Sequence, residues 1–187
     1  MSGVRIPEPA PDAGQRMHAL IRRLYPICRS ITGDGVRETL RILGERIPLA
    51  IHEVPTGTEV FDWTVPREWA VREAWIRDPA GNTVVDFRDS NLHLMSYSTP
   101  VRAVLDLDEL QPHLHSLPEH PDWIPYRTSY YRDDWGFCLS HRRRSELRAG
   151  RYEVRIDSEL RAGSLTYGEC EIRGETDDEV LLFTHVC

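Results

Sequence analysis

Chemistry needs histidine, cysteine, carboxylate or hydroxyl side chains at workable spacings, and this sequence offers few. His185 closes the apolar run Glu179-Val180-Leu181-Leu182-Phe183-Thr184-His185-Val186, with Cys187 two residues on. An unbroken apolar run of this kind predicts a strand buried on both faces, as at the parallel centre of an α/β sheet. Ligands in such sheets collect beyond the carboxyl ends of the strands. His185 therefore stands where a metal or a substrate would sit, and neutral imidazole is a common zinc ligand. One histidine is not a site, however, and spacing alone favours a satisfied residue near the surface. His113, His115 and His120 form the other metal-like group. The surrounding DLDELQPHLHSL reads as helix and loop, where alternate rings diverge, and no carboxylate beyond Glu119 lies at a supporting spacing, so a solvated surface is expected.

Nothing else in the sequence carries a local catalytic signature. GxSxG, GxGxxG, HExxH and the phosphate-loop pattern are all missing, which leaves serine hydrolase, nucleotide and zincin readings without a motif. No catalytic base or nucleophile is assigned. Cys28, Cys138, Cys170 and Cys187 form no CxxC pair and are expected as reduced thiols. Arg142-Arg143-Arg144 is short and reads as an exposed turn. Tyr126, Tyr130, Tyr131 and Trp135 could line a pocket or fill a small core.

Composition bounds what these residues can serve. The chain has 187 residues, is 40% hydrophobic and carries a net charge of −7, all 23 of its basic residues being arginine. That is enough apolar content for a real core, and the acidic balance argues against nucleic acid as a partner. No charged-then-apolar leader opens the sequence, and no stretch nears the roughly 18 apolar residues of a membrane span. A cytoplasmic protein with neither membrane nor nucleic acid as partner is the expectation.

Four segments would have to position any site. Residues 1–12 are proline-rich and read as a loose arm. Residues 13–57 carry two amphipathic helices and a strand. The first helix places Met17, Leu20, Ile21, Leu24 and Cys28 in a stripe toward a core and is expected to kink or end near Tyr25, because Pro26 falls inside the stripe. The second follows the turn 30–35, with Asp34 as its cap, and carries Val36, Leu40, Leu43 and Ile47 on one face before Pro48. A strand over 50–54 follows. Residues 58–149 hold all five tryptophans and four of the seven tyrosines. Here Asp78-Pro79-Ala80-Gly81-Asn82 joins two strands of a hairpin, further strands are expected over 93–97 and 135–140, and a short helix capped by Asp106 lies between them. Residues 150–187 return to longer strands, with Tyr152, Val154 and Ile156 alternating on one side, then 165–172, then the final run.

Six stretches resemble a single family: LYPICRSITGDGVRETL (24–40), PTGTEVFDWTVPREW (55–69), SNLHLMSYSTPV (90–101), IPYRTSYYRDDWGFCLSH (124–141), YEVRIDSEL with GSLTYGE (152–169) and VLLFTHVC (180–187). They are similar to zinc-dependent aminopeptidase-like proteins often found beside bacterial polysaccharide-biosynthesis and secondary-metabolite genes. The resemblance implies an α/β fold: a partial aminopeptidase-like core of N-terminal helices plus a mixed sheet, interrupted by an inserted β-rich domain. It implies zinc as cofactor, with His185 matching the first metal ligand of the family. An aspartate two residues later often orients that histidine in related aminopeptidases, and Cys187 stands there instead.

The remaining ligands and the general base of the family fall beyond residue 187. The expected function is thus a zinc-dependent aminopeptidase-like hydrolase of peptide or amide bonds, inactive alone, with a peptide or amino-acid conjugate as substrate. The alternatives are a non-catalytic binding or assembly module, or one half of a split enzyme completed by self-association or a complementing polypeptide. Arg29, Ser30 and Thr32 in the RSITG turn, with Tyr126, Arg127 and Tyr130 in YRTSYY, are the candidate pocket walls. The plainer readings for these are helix capping and core packing.

Overall fold

The structure is a computed structural model and describes residues 10–129, 132–176 and 178–186. It is a mixed α/β arrangement of sheets with few helices. α1 (Ala13–Leu24) and α2 (Asp34–Gly44) open the chain, and Arg23 ties them by a two-pronged bond to Glu45 at 2.6 and 2.8 Å. α1 forms as its periodicity predicts and stops before Pro26. Its apolar stripe is not buried: Met17 and Ile21 remain 65% and 60% exposed, because no described element packs over them. α2 does bury Val36, Leu40 and Ile42. Its cap is Gly33 rather than Asp34. Gly33 sits at φ +90°, and a Cβ there would come within 2.9 Å of the Trp69 carbonyl oxygen, so close backbone approach decides the capping residue.

β1 (Ala50–Pro55) precedes a small hairpin, β2 (Glu59–Val60) and β3 (Trp63–Thr64), and then β4 (Glu68–Arg77) and β5 (Thr83–Asp86). The β4–β5 turn forms as expected, with the Asp78 carboxylate accepting from the backbone N–H of Ala80 and Asn82 at 2.9 and 2.8 Å. The strand expected over 93–97 is instead a 3-10 turn, Asn91–His93, followed by an extended segment held by single bridges, Leu94 to Phe137 and Ser96 to Thr128. β6 (Val101–Asp106), absent from the sequence reading, runs into the short α3 (Leu107–Leu110), where the Glu109 carboxylate accepts from Asp106 N–H at 2.9 Å. β7 (Leu114–His115), β8 (Phe137–Cys138), α4 (His141–Ser145), β9 (Arg151–Arg161) and β10 (Ser164–Glu169) complete the elements.

Among the described residues the largest sheet has four antiparallel strands in the order β5-β4-β9-β6. Its inner face buries Trp69, Ala74, Ile76, Tyr152, Val154 and Ile156 against Leu94, Leu110 and Phe137. Its outer face is a ladder of ion pairs, Arg72 with Asp157 and Glu159, and Arg155 with Glu73. This sheet runs across the boundary that composition suggests at residue 150, since β9 lies between β4 and β6. β1 and β10 pair with each other from Ala50↔Glu169 to Pro55↔Ser164, so the chain leaves and re-enters at one antiparallel ribbon.

The expected terminal strand does not form. Residues 178–186 carry no strand, and Val180, Leu181, Leu182 and Phe183 are 86%, 87%, 91% and 78% exposed. A strand apolar on both faces needs neighbours on both sides, and no described segment supplies them. No helix among the described residues is long and apolar enough to cross a membrane.

Candidate functional site

The loop between α1 and α2 folds back over the start of β4 and leaves a cleft of about 220 Å³ against the 91–96 segment and Tyr126. Tyr25, Trp69 and Tyr126 supply aromatic faces, and Ile27, Leu92 and Leu94 fill between them. The loop holds its shape through three local devices. Pro26 ends the helix. The Arg29 guanidinium donates to the Leu24 carbonyl at 2.6 Å. Gly35 brings α2 so near that a Cβ would lie 1.9 Å from the Cys28 carbonyl oxygen.

Behind the cleft the walls are pinned by buried polar groups, as buried hydroxyls require. Ser30 donates to the Thr32 carbonyl at 2.7 Å. The Thr32 hydroxyl bonds the hydroxyl of Tyr97, which also donates to the Arg67 carbonyl at 3.2 Å. Tyr97 stacks on Trp69 with ring centroids 5.9 Å apart, and the Trp69 indole N–H reaches the Ser98 carbonyl at 2.9 Å. Tyr97 itself has φ +68°, unusual for a bulky residue. The short run around Tyr126 is attached to the same floor, Ser96 N–H donating to the Arg127 carbonyl at 2.9 Å and Ser129 N–H to the Ser96 carbonyl at 3.0 Å. Thr32→Val should therefore lower stability by about 1–2 kcal/mol, because a buried hydroxyl loses a partner. A urea midpoint equal to wild type would remove this pair as a tie.

The residues nominated from sequence separate in the structure. Arg29 and Tyr126 line one cleft. Ser30 and Thr32 lie behind it, 6% and 1% exposed, and their hydroxyls are spent on the protein. The Arg127 side chain is exposed and does not line the cleft. Tyr130 lies outside the described residues, as does Cys187. Trp69, Leu92 and Leu94 went unnoticed in sequence because they read as ordinary apolar positions of separate elements.

What the cleft can do is recognise rather than react. Burial pushes the Cys28 thiol up to about 11, so it is neutral at physiological pH and no nucleophile. Asn91 and Ser96 add hydrogen-bonding groups without a general base. A second cleft of about 290 Å³ beside Arg67, Ser129 and Arg132 differs in charge balance. There Arg67 faces Asp133 at 3.9 Å and Arg132 pairs with Asp134 at 3.0 Å.

The histidines do not assemble a metal centre. His113 stacks on Trp135 with centroids 3.6 Å apart and bonds the Trp135 carbonyl, while His120 stacks on Trp123 at 4.0 Å. His113 and His115 are half-buried rather than solvated, and burial holds the His115 ring below the usual histidine pKa. His185 is exposed beside the edge of Phe183. Among the described residues no three histidine, cysteine, aspartate or glutamate side chains gather as a metal would require. Among the described residues no ligand set surrounds His185.

Residues 68–159, nearly all of the four-stranded sheet, match a family described as a "Domain of unknown function (DUF2172)". Over 176 residues the chain is 54% identical to a Clostridium acetobutylicum protein described as a "Putative polysaccharide biosynthesis protein with aminopeptidase-like domain"; the alignment covers 94% of this chain. The crystal structure of a "putative peptidase" from Clostridium acetobutylicum superposes with a TM-score of 0.84 at 55% identity, over 88% of this chain. The chain spans 41% of the length of the first relative and 39% of the crystallised chain.

Proposed function

We infer from these likenesses, which support an aminopeptidase-like family, that the chain supplies the substrate-framing portion of a peptidase-like hydrolase. The observation that carries the reading is the 54% identity to a protein whose description includes an aminopeptidase-like domain. The cleft walled by Arg29 and Tyr126 is the pocket this reading would use. On this reading α1, α2, β1 and β10 belong to an aminopeptidase-like core, and the four-stranded sheet belongs to a β-rich domain set into it. The pairing of Pro55 with Ser164 supports the insertion, because the excursion between them starts and ends on adjacent strands.

The substrate is a peptide or an amino-acid conjugate. Zinc is the metal the resemblance implies, and His185 is the ligand this chain would contribute; its described residues gather no further ligands. The bare stripe of α1 and the bare run 180–183 favour further polypeptide packed against them, whether from a longer form, a complementing chain or a second copy. The neutral thiol and the lack of a base in the cleft favour, as a second reading, a binding module without catalysis.

The test is hydrolysis of dipeptides and aminoacyl anilides, with metal analysis, on the protein purified from its native cells beside its His185→Ala variant. Hydrolysis and zinc content should both fall at least about tenfold in the variant, the least expected of a lost ligand. Undiminished zinc would remove His185 from the site. Wild-type protein with neither zinc nor turnover would turn the reading to the binding module.

A further inference from the structure

Several arginine side chains among the described residues close on carboxylates: Arg23 on Glu45, Arg37 on Glu68, Arg72 on Asp157, Arg142 on Asp122. Arg29 does not. It is half-buried, and its hydrogen bond is to the Leu24 carbonyl, a neutral acceptor. Among the described residues no aspartate or glutamate pairs with it. A guanidinium withdrawn from water without a counter-charge is costly, and its planar fork is shaped for a carboxylate. This one lines the cleft whose other walls are the rings of Tyr25, Trp69 and Tyr126 with Ile27, Leu92 and Leu94.

Size narrows the occupant. The cleft holds about 220 Å³, below the roughly 300–1,000 Å³ of sites for drug-sized ligands. One amino-acid-sized group fits and a folded partner does not. The aromatic faces favour a flat or bulky apolar body, and Asn91 and Ser96 can meet an amide alongside it.

We propose that this cleft binds a free carboxylate carried on one aromatic or large apolar amino-acid residue, Arg29 taking the carboxylate and the Tyr25, Trp69 and Tyr126 rings the side chain. The ligand class is then a C-terminal residue or an N-acylated amino acid with its carboxylate free. As a substrate class this rests on the peptidase reading; as a binding site it does not, and its test involves no turnover.

The probes are N-acetylphenylalanine, its neutral carboxamide and N-acetylalanine, titrated into the 187-residue chain by calorimetry and followed through the ring resonances of Tyr25 and Tyr126. The acid should bind at least about tenfold more tightly than the carboxamide, and more tightly than the alanine compound. Arg29→Gln should weaken the acid by about 10–100-fold, the loss of a charge-assisted contact, and the carboxamide by less than about threefold. Arg29→Lys, which keeps the charge but not the fork, should fall between. Unchanged thermal unfolding of these variants separates lost recognition from lost fold. Equal affinity for acid and carboxamide, or for wild type and a folded Arg29→Gln chain, overturns the proposal. Hydrolysis without selective acid binding overturns the cleft and leaves the peptidase reading standing; selective binding without hydrolysis does the reverse.

Discussion

Gly35→Ala is expected to destabilise the chain by about 3 kcal/mol, at the upper end for an added methyl in a tight site. The sign is not obvious from helix propensity. Gly35 lies in α2, where alanine is ordinarily better by about 1 kcal/mol. The close approach reverses that preference. The new Cβ would meet the Cys28 carbonyl oxygen at 1.9 Å, its carbon at 2.8 Å and the Arg29 Cα at 3.2 Å. All three are backbone atoms, so no rotamer change relieves the contact, and the loop that carries Arg29 must move. Thermal unfolding should drop by about 6–12 °C, at roughly 2–4 °C per kcal/mol for a chain of this size. Affinity for N-acetylphenylalanine should fall with it, measured well below the transition. Gly44→Ala is the control: the same helix, nothing within 4 Å of the added carbon, and a neutral or slightly favourable outcome. Equal stability of the two variants would show that α2 does not sit on the cleft loop as described.

Glu68→Gln should cost a similar amount, about 3 kcal/mol, because it breaks a largely buried charge cluster from one side. The Glu68 side chain is 6% exposed and receives both prongs of Arg37, at 2.6 and 3.1 Å, with Ser164 N–H at 3.0 Å and Arg161 at 3.5 Å. It thus joins α2, β4, the end of β9 and the start of β10 at one point. Arg37 is 29% exposed and keeps Asp34, which holds the figure to the low end of the buried-pair range. The same carboxylate has a pH signature. Its hydrogen bonds from Arg37, ahead of that from Ser164, hold its pKa down to about 2, against roughly 4.3 in an unfolded chain. A depressed folded value means that the contribution is complete above about 4.3 and is lost as pH falls from there through 2. Urea unfolding at pH 7 should therefore show the full gap between wild type and variant, and the gap should close toward pH 2. A gap independent of pH over that interval would remove Glu68 as the titrating link.

Local pattern accounted for the elements whose own residues decide them. β9 was legible because Tyr152, Val154 and Ile156 alternate with charged residues that face the ladder outside. The β4–β5 hairpin was legible because Asp78 and Gly81 carry the turn, Gly81 at φ +85°. Where a partner decides, the sequence misled. Gly33 caps α2 because of a carbonyl that belongs to Trp69, thirty-odd residues away in the chain. The 93–97 segment has a strand's composition but finds only isolated bridges. β6 was missed because its alternation is brief and follows a proline, and only its pairing with β9 makes it a strand. The boundary near 150 followed composition, whereas hydrogen bonding keeps β9 with β4. The cleft was half legible. Arg29 and Tyr126 stand out by type, while Trp69, Leu92 and Leu94 acquire meaning only when the loop after α1 lies across them.

The uncovered run at 180–183 has a consequence for how the chain behaves in a crowded solution. Four bulky exposed side chains in a run outside any strand or helix make a nucleus from which identical segments can stack into ordered fibrils. Glu175, Asp178 and Glu179 stand immediately before it and Arg173 just upstream. Acidic residues placed there act as gatekeepers, since stacking the run in register would also stack their like charges. High ionic strength screens those charges and weakens that fence, and would let the run seek its own kind.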